Sequence, residues 1–297
     1  MAEASADNSG NSRCLLLELS HDELGVIFDG LADPLQPVVA VAFSSTCKGL
    51  RTPLLAALEV LKERHARAVA LCRKAKTSCA ELRVAEELDW SNKRKTADDM
   101  ATLAMILQTN GLPWLRMLDL SFNGIVDAGM QVLCEGFGHG AAPSLQNLAL
   151  DCNIIGPAGA EALAAALSRG ALLKLWLVSF NINPIGSQGV KALAAPLRTL
   201  PALKELYLYN CGIGDEGVAS LFANLGKDDF KALEYLWLGH NQITDAGMTT
   251  LVAALDSGRL PRLLNDHSLG KKYFAGHNRA SASAIQAVED ALAKRSQ

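Results

Sequence analysis

One pattern recurs at nearly constant spacing from Leu115 onward, and a fixed period constrains folding more than composition does, because each unit must pack against copies of itself. LRMLDLSFNGIVDAG begins at Leu115, LQNLALDCNIIGPAG at Leu145, LWLVSFNINPIGSQG at Leu175, LKELYLYNCGIGDEG at Leu203 and LEYLWLGHNQITDAG at Leu233. Successive starts lie 30, 30, 28 and 30 residues apart. A glycine closes each stretch (Gly129, Gly159, Gly189, Gly217, Gly247), and six residues before it stands Asn123, Asn153, Asn183, Cys211 or Asn241. Asn241 and Asp245, which beside His240 look like a chemical cluster, are therefore repeat grammar.

Each unit opens with period-2 apolar alternation over five or six residues and continues as a helix-like stretch such as AGAEALAAALSRG. That pattern predicts one strand and one helix per repeat. Asp127, Ser187, Asp215 and Asp245 stand where a helix N-cap is expected. A degraded unit precedes the five, with Leu88, Trp90, Met100 and Leu103 at the matching offsets. Another follows, where GHNRASASAIQAVEDAL echoes GHNQITDAGMTTLVAAL after an insertion around NDHSLGKKYFA. Both are expected to act as caps, since a terminal repeat has no neighbour to cover one face.

The pattern LxxLxLxxN/CxI followed by a helix resembles the leucine-rich repeat of the ribonuclease-inhibitor type. The resemblance implies an α/β horseshoe with a parallel sheet on its concave side and helices on its convex side, residues 82–297, and inward leucines stacked into one core. Asparagine at the N/C position can then satisfy backbone groups at the bend after the strand.

A different rhythm precedes the repeats. Ser20 and Glu23 form a candidate capping box, and Leu24, Ile27, Phe28 and Leu31 follow at helical spacing until Pro34 and Pro37 break the helix. Together with Leu19, the Glu23-Leu24 pair, Asp33-Pro34-Leu35 and CKGLR at 47–51, these residues resemble an F-box. That is the small all-helical module, here residues 14–52, that binds the adaptor of SCF-type ubiquitin ligases. Leu50 departs from the family, which often has Trp there. The resemblance implies that Leu24, Ile27, Phe28, Leu31, Pro34 and Leu35 serve the adaptor; otherwise they pack as a helical cap. Residues 53–81 read as one linker helix, its basic face solvated, and residues 1–13 as a disordered tail.

If alternate strand residues point out of the sheet, the third, fifth and seventh positions of each unit are exposed, Ser121 and Ser179 among them. This places Glu87, Asp89, Asp119 and Asp151 at one end of the concave face, and Glu205, Tyr207, Tyr209, Tyr235, Trp237 and His240 at the other. Clustered aromatics beside carboxylates have the composition of a protein-binding hot spot, and the acidic end favours a basic partner segment. Cross-strand stacking of the rings is the alternative use of the same residues.

The remaining features narrow the function. GIGDEG at 212–217 satisfies G-x-G-x-x-G, but its glycines fall in repeat register and the next strand ends in His240-Asn241, not an acid to hold a ribose. The six histidines show no metal-ligand spacing and no nucleophile turn occurs, so neither catalysis nor a cofactor is expected. A net charge of -3 implies no nucleic-acid partner. The seven scattered cysteines read as reduced thiols of a cytoplasmic or nuclear protein. No run of apolar residues is long enough for a membrane span. The expected function is a non-catalytic substrate receptor of an SCF-type ubiquitin ligase. A general scaffold similar to the sensing repeats of NLR proteins is the alternative, and a regulator resembling the Ran GTPase-activating proteins is a more distant one.

Overall fold

The apolar alternation in each repeat produces a short strand, and six strands pair in parallel in chain order. They are β1 (Glu87–Asp89), β2 (Met117–Asp119), β3 (Asn147–Ala149), β4 (Leu177–Ser179), β5 (Glu205–Tyr207) and β6 (Tyr235–Trp237). The computed structural model describes residues 19–45, 50, 52–109, 111–138, 140–263 and 276–294. The expected tail at 1–13, Cys47-Lys48-Gly49, Arg51 and the insertion at 265–275 lie outside the described residues.

The chain divides into two compact units, Met1–Arg67 and Ala68–Gln297. In the first, α1 (His21–Leu31) starts at the predicted capping box, with Ser20 N donating to Glu23 Oε2 at 2.8 Å and Glu23 N to Ser20 Oγ at 3.3 Å. Helix α2 (Val38–Ser45) follows the two prolines. Leu24, Phe28, Ala32, Ala40, Leu50, Leu54, Leu58 and Leu61 form the core of this unit. His65 Nδ1 lies 2.7 Å from the Pro34 carbonyl oxygen.

One linker helix was expected from residue 53 to 81, but α3 (Leu55–Ala75) stops early and α4 (Cys79–Val84) starts anew. Lys76 takes φ of 59°, which ends a helix, and Ser78 accepts from Glu81 N at 3.1 Å as the cap of the next one.

In the second unit each strand is followed by a helix: α5 (Ala97–Thr109), α6 (Asp127–Gly136), α7 (Pro157–Ser168), α8 (Gly186–Thr199), α9 (Asp215–Phe222) and α10 (Asp245–Asp256). Helix α11 (Ala282–Ala293) packs on α10. Inward side chains stack in rows. Leu88, Leu118, Leu148, Val178, Leu206 and Leu236 form one; Trp90, Leu120, Leu150, Phe180, Leu208 and Leu238 form the next, all buried. Regular pairing covers three residues per strand, yet the ladder continues beyond it, as Leu120 N donates to Ala149 O and Phe122 N to Asp151 O, both at 2.9 Å.

The repeat asparagines do what the bend after the strand demands. Asn153 Oδ1 accepts from Asn123 N and Ile125 N, both at 3.0 Å, while its Nδ2 donates to Leu150 O at 2.8 Å and Leu120 O at 3.1 Å. Asn241 repeats this with Cys211 N, Ile213 N, Leu208 O and Leu238 O. Asn278 of the last unit still reaches Leu238 O at 2.9 Å. The residue before each of these asparagines, and before Lys93 and Cys211 at the equivalent positions, is left-handed: Asn92, Phe122, Cys152, Ile182, Asn210, His240 and His277 have φ between 51° and 59°. A non-glycine residue there is strained, Ile182 most of all because it is β-branched.

The expected N-caps are displaced. Val126, Ile185, Gly214 and Thr244 occupy the cap positions, and Asp127, Asp215 and Asp245 are first helical residues. Their side chains cap the next repeat instead. Asp127 Oδ1 accepts from Gly156 N at 2.6 Å and Gly159 N at 2.9 Å. Asp215 Oδ1 accepts from Thr244 N at 2.8 Å and Gly247 N at 3.0 Å. Asp245 takes Ser281 N at 2.6 Å, and Ser187 Oγ takes Gly214 N at 2.9 Å. The exposed N–H groups at a helix start are unsatisfied donors with partial positive charge, so an acceptor one repeat away serves as well as a local one.

Candidate functional site

The pairing register assembles the exposed sheet face from one residue per strand. One row reads Glu87, Met117, Asn147, Leu177, Glu205, Tyr235, and the other Asp89, Asp119, Ala149, Ser179, Tyr207, Trp237. Asp89 and Asp119 are thus side by side at one end, with Glu87 beside Asp89 on the same strand. Tyr207 and Trp237 are side by side at the other, their rings stacked with centroids 4.0 Å apart and planes at 21°.

Alternation overstates how open this face is. Ser121 and Ser179, expected outside, are buried. Ser179 Oγ donates to the Asp151 carboxylate, which also accepts Asn181 N at 2.9 Å, so small polar side chains are covered by their neighbours. Glu87, Asp89 and His240 are exposed, and Asp119, Asp151, Glu205, Tyr207, Tyr209, Tyr235 and Trp237 are half-buried.

The carboxylates differ in character. Hydrogen bonds from Ser91, through Oγ at 2.6 Å and N at 3.0 Å, hold Asp89 below the usual aspartate range. Burial pushes Asp151 above it, aided by Asp119, while Ser179 and Asn181 oppose the shift. A carboxylate whose folded pKa is raised binds its proton more tightly in the folded state, so its ionisation costs stability as pH rises through that raised value. Asp151→Asn is therefore expected to remove part of the loss of stability of the native chain as pH rises from the ordinary aspartate range. Urea unfolding of both proteins across that rise measures it, and parallel pH profiles would refute it.

The aromatic end is tied together. The Tyr207 hydroxyl donates to the Glu205 carboxylate, and burial followed by Glu205 pushes its ionisation upward. Tyr209 lies 4.9 Å from His240, and His240 4.3 Å from His277, centroid to centroid. The stacking anticipated for these rings is present between Tyr207 and Trp237, while Tyr207, Tyr209, Tyr235 and Trp237 all remain partly exposed on the sheet face.

Sequence reasoning missed a groove of about 810 Å³ at the N-terminal ends of β3 to β6, lined by Leu173, Lys174, Trp176, Pro201, Lys204 and Arg262 among others. The available signal was Trp176, a large ring where the other units hold Glu86, Arg116, Gln146, Lys204 and Glu234. Its charges are partly spent, since Lys204 lies 3.5 Å from Glu234.

In the first unit the adaptor residues divide. Leu24, Phe28, Pro34 and Leu35 are buried, Leu24 and Phe28 in the core of this unit. Leu31 is half-buried and Ile27 is 37% exposed. The apolar residues this hairpin does expose are others: Val26 at 73%, Val38 at 69%, Val39 at 50% and Val41 at 42%.

The family whose model matches the chain is described as Leucine Rich repeat, over residues 111–134, 141–164, 199–222 and 232–252. The chain carries leucine-rich repeats. Each matched segment starts before a strand and ends in the helix that follows it, so the matches coincide with the structural unit. A search of the curated proteins finds no match. Among the described residues, no helix of the leucine-rich repeat chain is long and apolar enough to cross a membrane. Among the same residues, no group of three or more His, Cys, Asp or Glu is placed to hold a metal ion.

Proposed function

We propose that the chain is a non-catalytic protein-binding scaffold that holds its partner on the exposed sheet face, with a basic segment over Glu87, Asp89 and Asp119 and an apolar anchor against Tyr207, Tyr235 and Trp237. The observation that carries this reading is the register, which sets three carboxylates and three aromatic rings on one continuous face at positions the core does not use. Stacked repeats present long shallow surfaces, suited to a protein partner.

The test is binding of the full chain to a peptide array that varies Lys/Arg content and aromatic content independently. Basic peptides with an apolar anchor are expected to bind, more weakly at high salt. Trp237→Ala is expected to weaken binding by about tenfold, the range of an interface hot spot. Equal binding of acidic and basic peptides, or indifference to Trp237→Ala, would sink the proposal.

The exposed valines of the first unit favour a second, finer reading, that this unit docks onto the adaptor of an SCF-type ubiquitin ligase and makes the chain a substrate receptor. The docking strip is then Val26, Ile27, Val38, Val39 and Val41, and not Phe28. Val38→Asp with Val39→Asp keeps the core intact and is expected to abolish adaptor binding; a folded native chain that binds no adaptor leaves the scaffold reading alone.

A further inference from the structure

The turn between α3 and α4 holds two thiols that the sheet face does not use. Lys76 N donates to Arg73 O at 3.1 Å and Thr77 N to Cys72 O at 2.9 Å, the pair of bonds that closes a helix through a left-handed residue. Immediately after it, Ser78 N donates to Glu81 Oε2 at 2.7 Å in a capping box that opens α4. The two caps together fix where Cys72, in the last turn of α3, and Cys79, the first residue of α4, project. Their Sγ atoms are 3.7 Å apart.

A disulfide needs about 2.05 Å between sulfurs, so side-chain rotation has only a short gap to close. Access is unequal, since Cys72 is buried and Cys79 is partly exposed. Buried Lys95, its Nζ 4.3 Å from the centre of the Trp90 ring and without a hydrogen-bond acceptor among the described residues, lies near enough for its charge to favour the Cys72 thiolate. That charge opposes the burial which pushes Cys72 up to about 12.

We propose that Cys72 and Cys79 are a thiol modification site that reacts with a hydroperoxide and closes to a reversible disulfide. The Cys79 sulfur attacks the outer peroxide oxygen; an S–O bond forms, the O–O bond breaks, and the thiol proton leaves with the alcohol. Cys72 then attacks the sulfenic sulfur, an S–S bond forms, the S–O bond breaks, and the Cys72 proton leaves with the hydroxyl as water. Two thiols are oxidised by two electrons in all, and one hydroperoxide is reduced to an alcohol and water. The product ties the last turn of α3 to α4 at the start of the repeat unit.

The experiment treats the full chain with hydrogen peroxide, blocks remaining thiols with N-ethylmaleimide and maps peptides by mass spectrometry with and without reductant. A peptide joining Cys72 to Cys79, lost on reduction, is the expected result. Cys72→Ser is expected to stop at a sulfenic acid on Cys79 that dimedone traps, and Cys79→Ser to oxidise at Cys72 at least tenfold more slowly, because the remaining thiol is buried. Sulfinic acid on Cys79 in the native chain without the joined peptide overturns the proposal, as does linkage of either thiol to a different cysteine.

Discussion

Replacing Asn153 by alanine is expected to lower the stability of the repeat unit by about 3 to 5 kcal/mol, among the largest effects of any single substitution in the chain. Its amide side chain accepts from Asn123 N and Ile125 N and donates to Leu120 O and Leu150 O, so it joins two successive repeats. Alanine removes these bonds and leaves the buried N–H groups of Asn123 and Ile125 with nothing to pair with, each costing about 1 to 3 kcal/mol, while Leu120 O and Leu150 O keep the amides of Asn123 and Asn183. Water has little access where Asn153 is, since Asn153 is itself buried, as are Leu120 and Leu150, whose carbonyls it bonds. Because a solenoid is held together by neighbour contacts, the loss is expected to broaden or split the urea transition as well as shift it. A change below about 1 kcal/mol would show that the asparagine ladder is not what joins the repeats.

The second large effect separates two glycines that look alike in the sequence. A Cβ on Gly247 would lie 2.5 Å from Asp215 Oδ1 and 2.5 Å from Ile243 Cγ2, and Gly247 N is a donor to that same carboxylate at 3.0 Å. Gly247→Ala therefore overpacks the helix start and expels the inter-repeat cap, at a combined cost of about 3 kcal/mol. At Gly129 the nearest atom to such a Cβ is Ile125 Cγ2 at 3.2 Å, the end of a side chain that can shift, with no carboxylate close by. Gly129→Ala is expected to be nearly neutral, as alanine's better helix propensity, up to about 1 kcal/mol, offsets the crowding. Thermal unfolding of the two variants tests this directly: equal losses would mean that the glycine serves helix packing alone and the aspartate cap contributes nothing.

The contrast shows how much a repeat pattern reveals. The period marked Gly129 and Gly247 as equivalent, and in backbone position they are. It could not separate them, because the crowding at Gly247 comes from Asp215 of the preceding repeat, whereas Gly129 has no such carboxylate before it. The same limit explains the displaced caps. Asp127, Asp215 and Asp245 were recognisable as acceptors near a helix start, but a local pattern cannot say that the helix they serve belongs to the next unit.

The candidate site divides similarly. That Tyr207, Tyr235 and Trp237 leave the core followed from alternation alone, and the structure places them on the exposed face with Glu205. That Ser179 is buried while Asp151 is pushed toward protonation did not, since both depend on neighbouring strands closing over small side chains. In the first unit, helical spacing found the apolar stripe of α1 but not which part of it the core would claim. Phe28 went inside and Val26 outside because of how α2 and α3 pack against it.

By itself, then, the sequence determined the repeating unit, its strand and helix, the leucine rows and the asparagine positions, because these follow from periodicity and from each residue's own hydrogen-bonding capacity. Only the tertiary structure decided the left-handed turn at Asn92, Phe122, Ile182 and His240, where no common residue type announces it. It alone also decided the approach of the Cys72 and Cys79 thiols and the sharing of caps between repeats. These features arise where separate segments meet, and the energy that holds them belongs to the contact between segments.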